Sequence, residues 1–176
     1  MVVCGDFAMI SAASDPAVIN GDQVSYDYEH KIIRASGNVK ITYKEIVIEA
    51  DRAYINHEEN ILLATGHVKV TKKDDVFRGE RFLYYLKERQ GWLTPLDTSI
   101  TDPEIKGAVL LTARDAYLKN EEDIWLKEAS FTSCDREKPH FHITAKAIEY
   151  FPEERIVFHQ VWYWDCLLYT SPSPRD

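Results

Sequence analysis

The sequence is poor in cysteine, in basic residues and in long apolar runs. It has three cysteines in 176 residues, which cannot all pair within one chain, so a disulfide framework does not hold this fold. No apolar run approaches the roughly 18 residues that a membrane-spanning helix needs. Lys and Arg number 21 against 29 Asp and Glu, and they form no cluster. The net charge of −8 argues against a nucleic-acid-binding protein, which needs a basic face.

Motifs of common enzyme chemistries are also missing. The sequence has no Gly-x-Ser-x-Gly, no His-Glu-x-x-His and no phosphate-binding loop. Cys134, Asp135, His140 and His142 fall within nine residues, with the two histidines predicted on one strand face. A zinc site needs three or four converging ligands and no second cluster supplies the rest, so a polar loop beside a strand is the simpler interpretation. We expect a protein that is not an enzyme and holds no metal or cofactor.

What the sequence does contain is a repeat. Five units succeed one another at offsets of 29, 29, 34 and 32 residues. Each unit has a small residue, a charged residue close behind it, an apolar segment, a charged turn and a second apolar segment. The units begin at Gly21, Ala50, Gly79, Ala113 and Ala145. The predicted turns are Glu29–Lys31, Glu58–Asn60, Lys87–Arg89, Glu121–Asp123 and Glu153–Arg155.

Each unit alternates with a period of two. From Ile33 to Tyr43 every second residue is apolar or small, Gly37 included, while Lys40 and Thr42 take the other face. This alternation predicts half-buried antiparallel strands with one apolar and one polar face. Near Ala50 and Asp51 the apolar positions change from even to odd residue numbers, which predicts a β-bulge or sheet corner at each unit start. Asp22 and Asp51 are therefore interpreted as bulge or turn formers.

The predicted fold is all-β, an antiparallel stack of roughly ten or more strands joined as hairpins. Many positions on the apolar face are small, which permits two interpretations. Small inner residues leave volume for an aliphatic guest, or they let two sheets pack closely. The small positions are Ala35, Gly37, Ala53, Ala64, Gly66, Ala116, Ala129 and Ala145.

The two ends differ from the middle in composition. Residues 1–19 contain a short apolar stretch and then a run of small residues, and they are interpreted as the remnant of a leader or a linker. Residues 20–165 form the predicted domain. Residues 166–176 read CLLYTSPSPRD, which resembles translated cloning sequence, so we interpret them as a non-native tail.

The repeat resembles a known family. The stretch from Gly21, with its Ala-Asp-Arg, turn and Ala-Thr-Gly-x-Val-x-Val pattern, looks like the OstA-like repeat of lipopolysaccharide-transport proteins. The resemblance covers Asn20 to about Asp165. The element Ala129–Cys134 (ASFTSC) is similar to one in the N-terminal periplasmic domain of the outer-membrane lipopolysaccharide-assembly protein, a domain that precedes a β-barrel. The soluble periplasmic bridge protein, which has the repeats without that element, is the alternative within the family.

The resemblance implies a periplasmic β-jellyroll, folded like a taco, that holds the acyl chains of lipid A in an apolar groove. It implies passage of lipopolysaccharide to the outer membrane, and a structural β-solenoid with a filled core is the alternative outside the family. The alternation and the resemblance together predict the residues that line the groove. They are Val24, Tyr26, Ile33, Val39, Ile41, Ile46, Ile48, Ala53, Ile55, Leu62, Val68, Val70, Phe82, Tyr84, Val109, Leu111, Phe141, Ile143, Ile148 and Tyr150.

The resemblance also implies partners. They are lipopolysaccharide, a bridge protein joined edge to edge near Asn20–Tyr28, and, for the assembly protein, its own barrel and an outer-membrane lipoprotein plug. It implies a periplasmic location attached to the outer membrane. In that protein the cysteine matching Cys134 pairs with a cysteine of the barrel, so Cys134 is expected to be a free thiol here or else a buried apolar residue.

Overall fold

The computed structural model describes residues 8–12, 15–43, 46–72, 75–101, 108–119, 123–134, 136, 139–151 and 155–165. These residues contain thirteen β-strands and no helix. The strands are β1 (Ala8–Ala12), β2 (Asp15–Asn20), β3 (Gln23–Asp27), β4 (Ile32–Tyr43), β5 (Ile46–Asn56), β6 (Ile61–Lys72), β7 (Asp75–Tyr85), β8 (Gln90–Thr94), β9 (Leu96–Thr101), β10 (Ala108–Lys119), β11 (Asp123–Thr132), β12 (Phe141–Phe151) and β13 (Arg155–Asp165). Within these ranges, no helix is long and apolar enough to cross a membrane.

All thirteen strands belong to one antiparallel sheet with the order β1-β2-β4-β5-β6-β7-β8-β10-β11-β12-β13. Two places in this order are shared by a pair of shorter strands. β2 and β3 both pair with β4, and β8 and β9 both lie between β7 and β10. The predicted fold class, an all-β antiparallel jellyroll of repeated hairpins, is confirmed. The sheet also extends into the segment 1–19, where β2 places Ile19 fully inside.

The first three predicted turns are confirmed, at 28–31, 57–60 and 86–89. Each ends on a residue in the left-handed region, with φ values of 51° at Lys31, 57° at Asn60 and 54° at Arg89. The Asp27 carboxylate accepts hydrogen bonds from the backbone N–H groups of the two residues after Tyr28, so a side chain stabilises the turn. The fourth and fifth predicted turns fall mostly outside the described residues.

A β-bulge interrupts the pairing near the middle of the long strands. The register shifts between Ser36 and Val39 in β4, between Glu49 and Arg52 in β5, and between Thr65 and Val68 in β6. The slip predicted near Ala50 and Asp51 is thus confirmed. The predictions that Gly37 and Gly66 lie on the inner face are wrong, because Gly37 (φ 74°) with Asn38 (φ 46°), and Gly66 (φ 79°) with the residue after it (φ 45°), form the bulges themselves.

An aspartate holds each of the first two bulges. The backbone N–H of Asp22 donates to the carbonyl of Gly37 at 2.8 Å, and its carboxylate accepts from the Asn38 amide at 3.0 Å. One repeat later, the Asp51 carboxylate lies 2.8 Å from Nδ1 of His67. A Cβ atom at either bulge glycine would clash with the aspartate. Asp22 and Asp51 are therefore bulge formers, as predicted.

The core lies on one face of the sheet. Since the described residues contain a single sheet, the inner face has to be covered by other parts of that sheet. Bulges bend strands, so the two halves of each long strand form two walls that face one another across the row of bulges. The inner residues of the central strands, including Ile33, Ile41 and Val68, are at most 2% exposed.

We predict that Gly66→Ala lowers the free energy of unfolding by about 2 kcal/mol, because a left-handed φ of 79° disfavours a side chain and the new Cβ meets Asp51. Gly21→Ala is the matched control, since a Cβ there makes only ordinary contacts, the nearest at 3.4 Å. Urea unfolding of both variants measures the difference. Equal losses in the two variants would contradict this account of the bulge.

The second bulge should respond to pH. The hydrogen bond from Asp51 raises the pKa of His67, and the charges of Asp51 and Glu80 act in the same direction. A raised folded pKa means that the stabilisation is fully present below about 6.5, the unfolded value, and is lost as pH rises through the folded pKa.

We expect NMR titration to give a pKa for His67 above about 6.5 that falls in Asp51→Asn. The variant His67→Asn, which copies the Asp22–Asn38 pair, should remove the pH dependence of this bulge. An unchanged His67 pKa in Asp51→Asn would be inconsistent with the pairing.

Candidate functional site: the apolar inner face

The inner face is built from rows of side chains that run across the strands, from one paired residue to the next. Two rows of large apolar residues lie far from the bulges, one on each wall. The first wall carries Ile33, Ile55, Leu62 and Tyr84, and the second carries Ile19, Ile41, Ile48, Val70 and Phe77. Between them, on either side of the bulges, lie two rows rich in alanine. These contain Ala35, Ala53, Ala64 and Ala116 on the first wall and Ala50, Ala113, Ala129 and Ala145 on the second.

This arrangement places many small side chains in the crease and large ones on the walls, although the crease row of the first wall also contains Phe82, Leu93, Leu126 and Ile148. The crease therefore runs perpendicular to the strands, along the direction in which the hairpins are stacked. Register shifts occur in the pairings from β4 to β7, and β11 and β13 each have a left-handed residue, Glu128 and Gln160, near their middle. The result is an apolar lining that is continuous from hairpin to hairpin.

The inner face is closed at its centre and open at its C-terminal end. Ile41 and Val68 are 1% exposed, whereas Val161 and Tyr163 of β13 are 47% and 63% exposed. The register pairs Val161 with Ala145 and Tyr163 with Ile143, so both side chains belong to the inner face. Phe158 and Ile156 continue the first wall in the same way and are 37% and 51% exposed. Among the described strands, nothing pairs with the outer edge of β13.

Most residues predicted to line the groove lie on this inner face and are buried. The buried ones are Ile33, Val39, Ile41, Ile48, Ala53, Ile55, Leu62, Val68, Val70, Phe82, Tyr84, Val109 and Ile148. The partly buried ones are Val24, Ile46, Leu111, Phe141, Ile143 and Tyr150. Tyr26, at the opposite edge from β13, is 38% exposed. Whether any of them contacts a ligand stays a prediction.

The sequence reasoning missed the open end of the inner face. Ile156, Phe158, Val161 and Tyr163 were not predicted to line it, although each is apolar and pairs with an inner residue of β12. The signal is present as two short alternations separated by a slip at Gln160, whose φ is 50°. The slip has the same position in this unit as the bulge has in the others, so the repeat itself could have located it.

The outer face is not uniformly polar, so that prediction is wrong in part. One outer row contains Tyr54, Leu63, Leu83, Trp92, Tyr117 and Trp125, each opposite the next. The rings of Trp92 and Tyr117 lie 4.6 Å apart, and Trp125 is 45% exposed. Cross-strand aromatic pairs stabilise a sheet on either face, which accounts for apolar residues at these exposed positions. Lys40 is exposed and Thr42 half-buried on the outer face, as expected.

Cys134 is a partly buried free thiol just after β11. Its sulfur lies 3.5 Å from Nδ1 of His140, and its N–H donates to Oγ1 of Thr132. His140 precedes β12, whereas His142 lies in β12 and stacks on Trp164, so the prediction that the two histidines share a strand face is wrong. No group of three or more potential metal ligands occurs among the residues with described positions.

No family model and no curated protein matches the sequence. Among solved structures, the chain is similar to the crystal structure of LptH, the LptA homologous periplasmic component of the conserved lipopolysaccharide transport device from Pseudomonas aeruginosa. The identity is 11% and the TM-score 0.33, with 91% of each chain covered. A likeness this distant does not bear on function, so any function proposed for this chain has to rest on its own residues.

We predict that Ile41→Ala lowers the free energy of unfolding by about 3 kcal/mol, because it leaves a cavity in a closed part of the inner face. Val161→Ala, on the same face but at its open end, should cost less than about 1 kcal/mol, since its side chain is already half in water. Chemical denaturation of the two variants tests the difference. Similar costs at both positions would mean that the inner face is equally closed along its length.

Proposed function

We propose that this chain is a lipid carrier that shelters acyl chains against its apolar inner face. The observation that supports this most strongly is the continuity of that face. Its rows pass from one hairpin to the next through paired residues and reach the free edge of β13, where Val161 and Tyr163 meet solvent.

Energetics favour an aliphatic ligand. Each buried CH₂ contributes about 0.8 kcal/mol, so an acyl chain of a dozen carbons costs roughly 8–10 kcal/mol when exposed to water. The net charge of −8 gives no attraction to anionic head groups over the chain as a whole. In the proposed carrier, affinity therefore comes from burial of the acyl chains.

The open end is where we propose that the acyl chains bind first. Val161 and Tyr163 on one wall, with Ile156 and Phe158 on the other, offer an apolar surface that water now covers. The central rows are buried, so deeper passage of a chain requires the walls to separate along the crease. Small residues in the crease, such as Ala64 and Ala129, leave room for hydrocarbon once they do.

The pathway that we propose is the transport of lipopolysaccharide through the periplasm, with the chain as a bridge-type module. The OstA-like pattern supports this assignment, since Asp22 and Asp51 of that pattern build the bulges on which the inner face depends. In a bridge, modules join edge to edge, and two sheet edges suit that role. The outer edges of β3 and β13 have no partner strand among the described residues, whereas residues 18–20 already pair with β4 and lie beside β1.

The N-terminal domain of an outer-membrane assembly protein is the second candidate, and Cys134 is the observation that favours it. A partly buried free thiol at the end of β11 is available for a disulfide with another chain segment. If the chain is such a domain, it would be followed by its own β-barrel, have an outer-membrane lipoprotein plug as a partner and be attached to the outer membrane. Trapping of Cys134 in an intermolecular disulfide in the periplasm would favour it over the bridge, and a reduced Cys134 there would favour the bridge.

We predict that a photo-crosslinking residue at Tyr163 captures lipopolysaccharide, because this inner side chain is exposed at the open end. Trp164 is the matched control, since it is the next residue of β13, is similarly exposed and lies on the outer face against His142. Ile41, Ile55 and Val68 test the deeper path, with Lys40 and Thr42 as their outer-face controls. Equal capture at Tyr163 and Trp164 would refute the assignment. A structural scaffold with a filled core predicts no capture at any of them.

A further inference from the structure

The outer face contains a second feature that the carrier function does not use, a cavity of about 760 Å³ over β3 to β6. Its volume lies within the usual range for ligand sites. Its polar lining is formed by Arg34, Arg52, Tyr54, Gln23, Ser25, Ser36 and Thr65. We propose that this cavity, the arginine cavity, binds a phosphorylated or otherwise anionic saccharide.

Two arginines define the charge of the cavity. Arg34 is opposite Tyr54 in the register and Arg52 is opposite Ser36, so the arginines are diagonal neighbours on adjacent strands. Diagonal residues lie about 7–8 Å apart, which lets two long guanidinium side chains converge on one anion. Neither arginine forms an ion pair with any residue in the described part of the chain. A chain with a net charge of −8 thus has two unneutralised cations in one cavity.

Tyr54 restricts where one of these cations can lie. The guanidinium carbon of Arg34 is 5.7 Å from the centre of the Tyr54 ring, a distance at which the ring attracts a cation. This contact holds the guanidinium against the wall of the cavity without using its N–H donors. Those donors remain free for the paired hydrogen bonds that arginine makes with phosphate or carboxylate oxygens.

The remaining polar lining suits a hydroxyl-rich ligand. Ser36 and Thr65 provide hydroxyl groups that can both donate and accept hydrogen bonds, and Ser25, whose hydroxyl donates to the Arg34 carbonyl at 3.4 Å, provides an acceptor. No carboxylate among the described residues lines the cavity. A sugar presents hydroxyl groups of the same kind. An anionic group on that sugar would occupy the space between the arginines, while its hydroxyl groups contact the serine and threonine side chains.

A second outer cavity, of about 520 Å³ over β10 to β13, shows what distinguishes the first. It is lined by Arg114, Lys127 and Lys146, and the guanidinium of Arg114 already binds two carboxylates. Its Nε donates to Asp115 at 2.9 Å and its Nη1 to Glu128 at 2.5 Å. Arg114 therefore serves as a matched control for the arginine cavity, because it is a cavity-lining arginine whose charge is satisfied.

The test is titration of the full chain with glucosamine 1-phosphate, glucosamine and inorganic phosphate, monitored by NMR and calorimetry. We expect saturable binding of the sugar phosphate, with shifts at Ser25, Ser36 and Thr65, weaker binding of phosphate and none of glucosamine. Arg34→Gln and Arg52→Gln should each weaken binding about tenfold, since a charge-assisted hydrogen bond is lost. Arg114→Gln should bind as the parent does, and unchanged thermal unfolding shows that each variant is folded.

Several results would overturn the proposal. They are the absence of saturable binding, equal binding by Arg34→Gln and the parent chain, or shifts confined to the cavity around Arg114. Phosphate binding as tight as that of the sugar phosphate would refute the saccharide part.

The source of the sugar is tested by comparing delipidated lipopolysaccharide saccharide before and after phosphatase treatment. If the delipidated saccharide binds only before phosphatase removes its phosphates, a lipid head group is supported as the source. If neither form binds, a free sugar phosphate is the ligand instead. Only the head-group source rests on the proposed carrier function. Failure of acyl-chain capture at Tyr163 leaves the cavity's binding of glucosamine 1-phosphate unaffected, so the two proposals fail separately.

Discussion

The bulges in the middle of β4 and β6 are the constraint on which the rest of the structure depends. Asp22 and Asp51 place a carboxylate over the left-handed glycines at 37 and 66, and this contact fixes where the strand bends. The bend turns one sheet into two facing walls, so a chain with no second sheet and no helix in its described part still buries an apolar face. The crease continues across the later strands, where the buried residues Leu126 and Ala129 of β11, and Ala145 and Ile148 of β12, are likewise three residues apart. A sheet without these bulges would have its apolar face in water.

Much of the fold could be predicted from the sequence, since alternation and repetition are local signals. Parity alone places residues such as Ile33, Ile41 and Val68 on the inner face, and they are buried. The alternation of odd and even positions places Gly37 on the wrong face. A bulge with two left-handed residues leaves the apparent alternation of β4 unbroken, so the sequence does not reveal it. The slip is visible in β5, where Ala50 and Ala53 are both inner residues despite their odd spacing, and again in β10 between Ala113 and Ala116.

The features that could not be predicted depend on register between strands. Arg52 belongs to the Ala-Asp-Arg pattern and Arg34 lies outside it, and only the pairing of β4 with β5 makes them neighbours. Trp92 and Trp125 belong to one outer row for the same reason, through Tyr117. The open end at β13 depends on the absence of a neighbouring strand among the described residues, because an identical alternation would be buried if another strand covered it. Side-chain patterns give the face of a residue, whereas its exposure depends on its neighbours.

The central claim is that the apolar interior is open at β13 and accepts hydrocarbon there. The most direct measurement is the broadening of methyl NMR signals by an acyl chain that carries a spin label near its end. Val161 on the inner face and Val157 on the outer face lie on the same strand, opposite Ala145 and Glu149. The account predicts strong broadening of Val161 with little effect on Val157. Equal broadening of both, or broadening of Val157 alone, would contradict it.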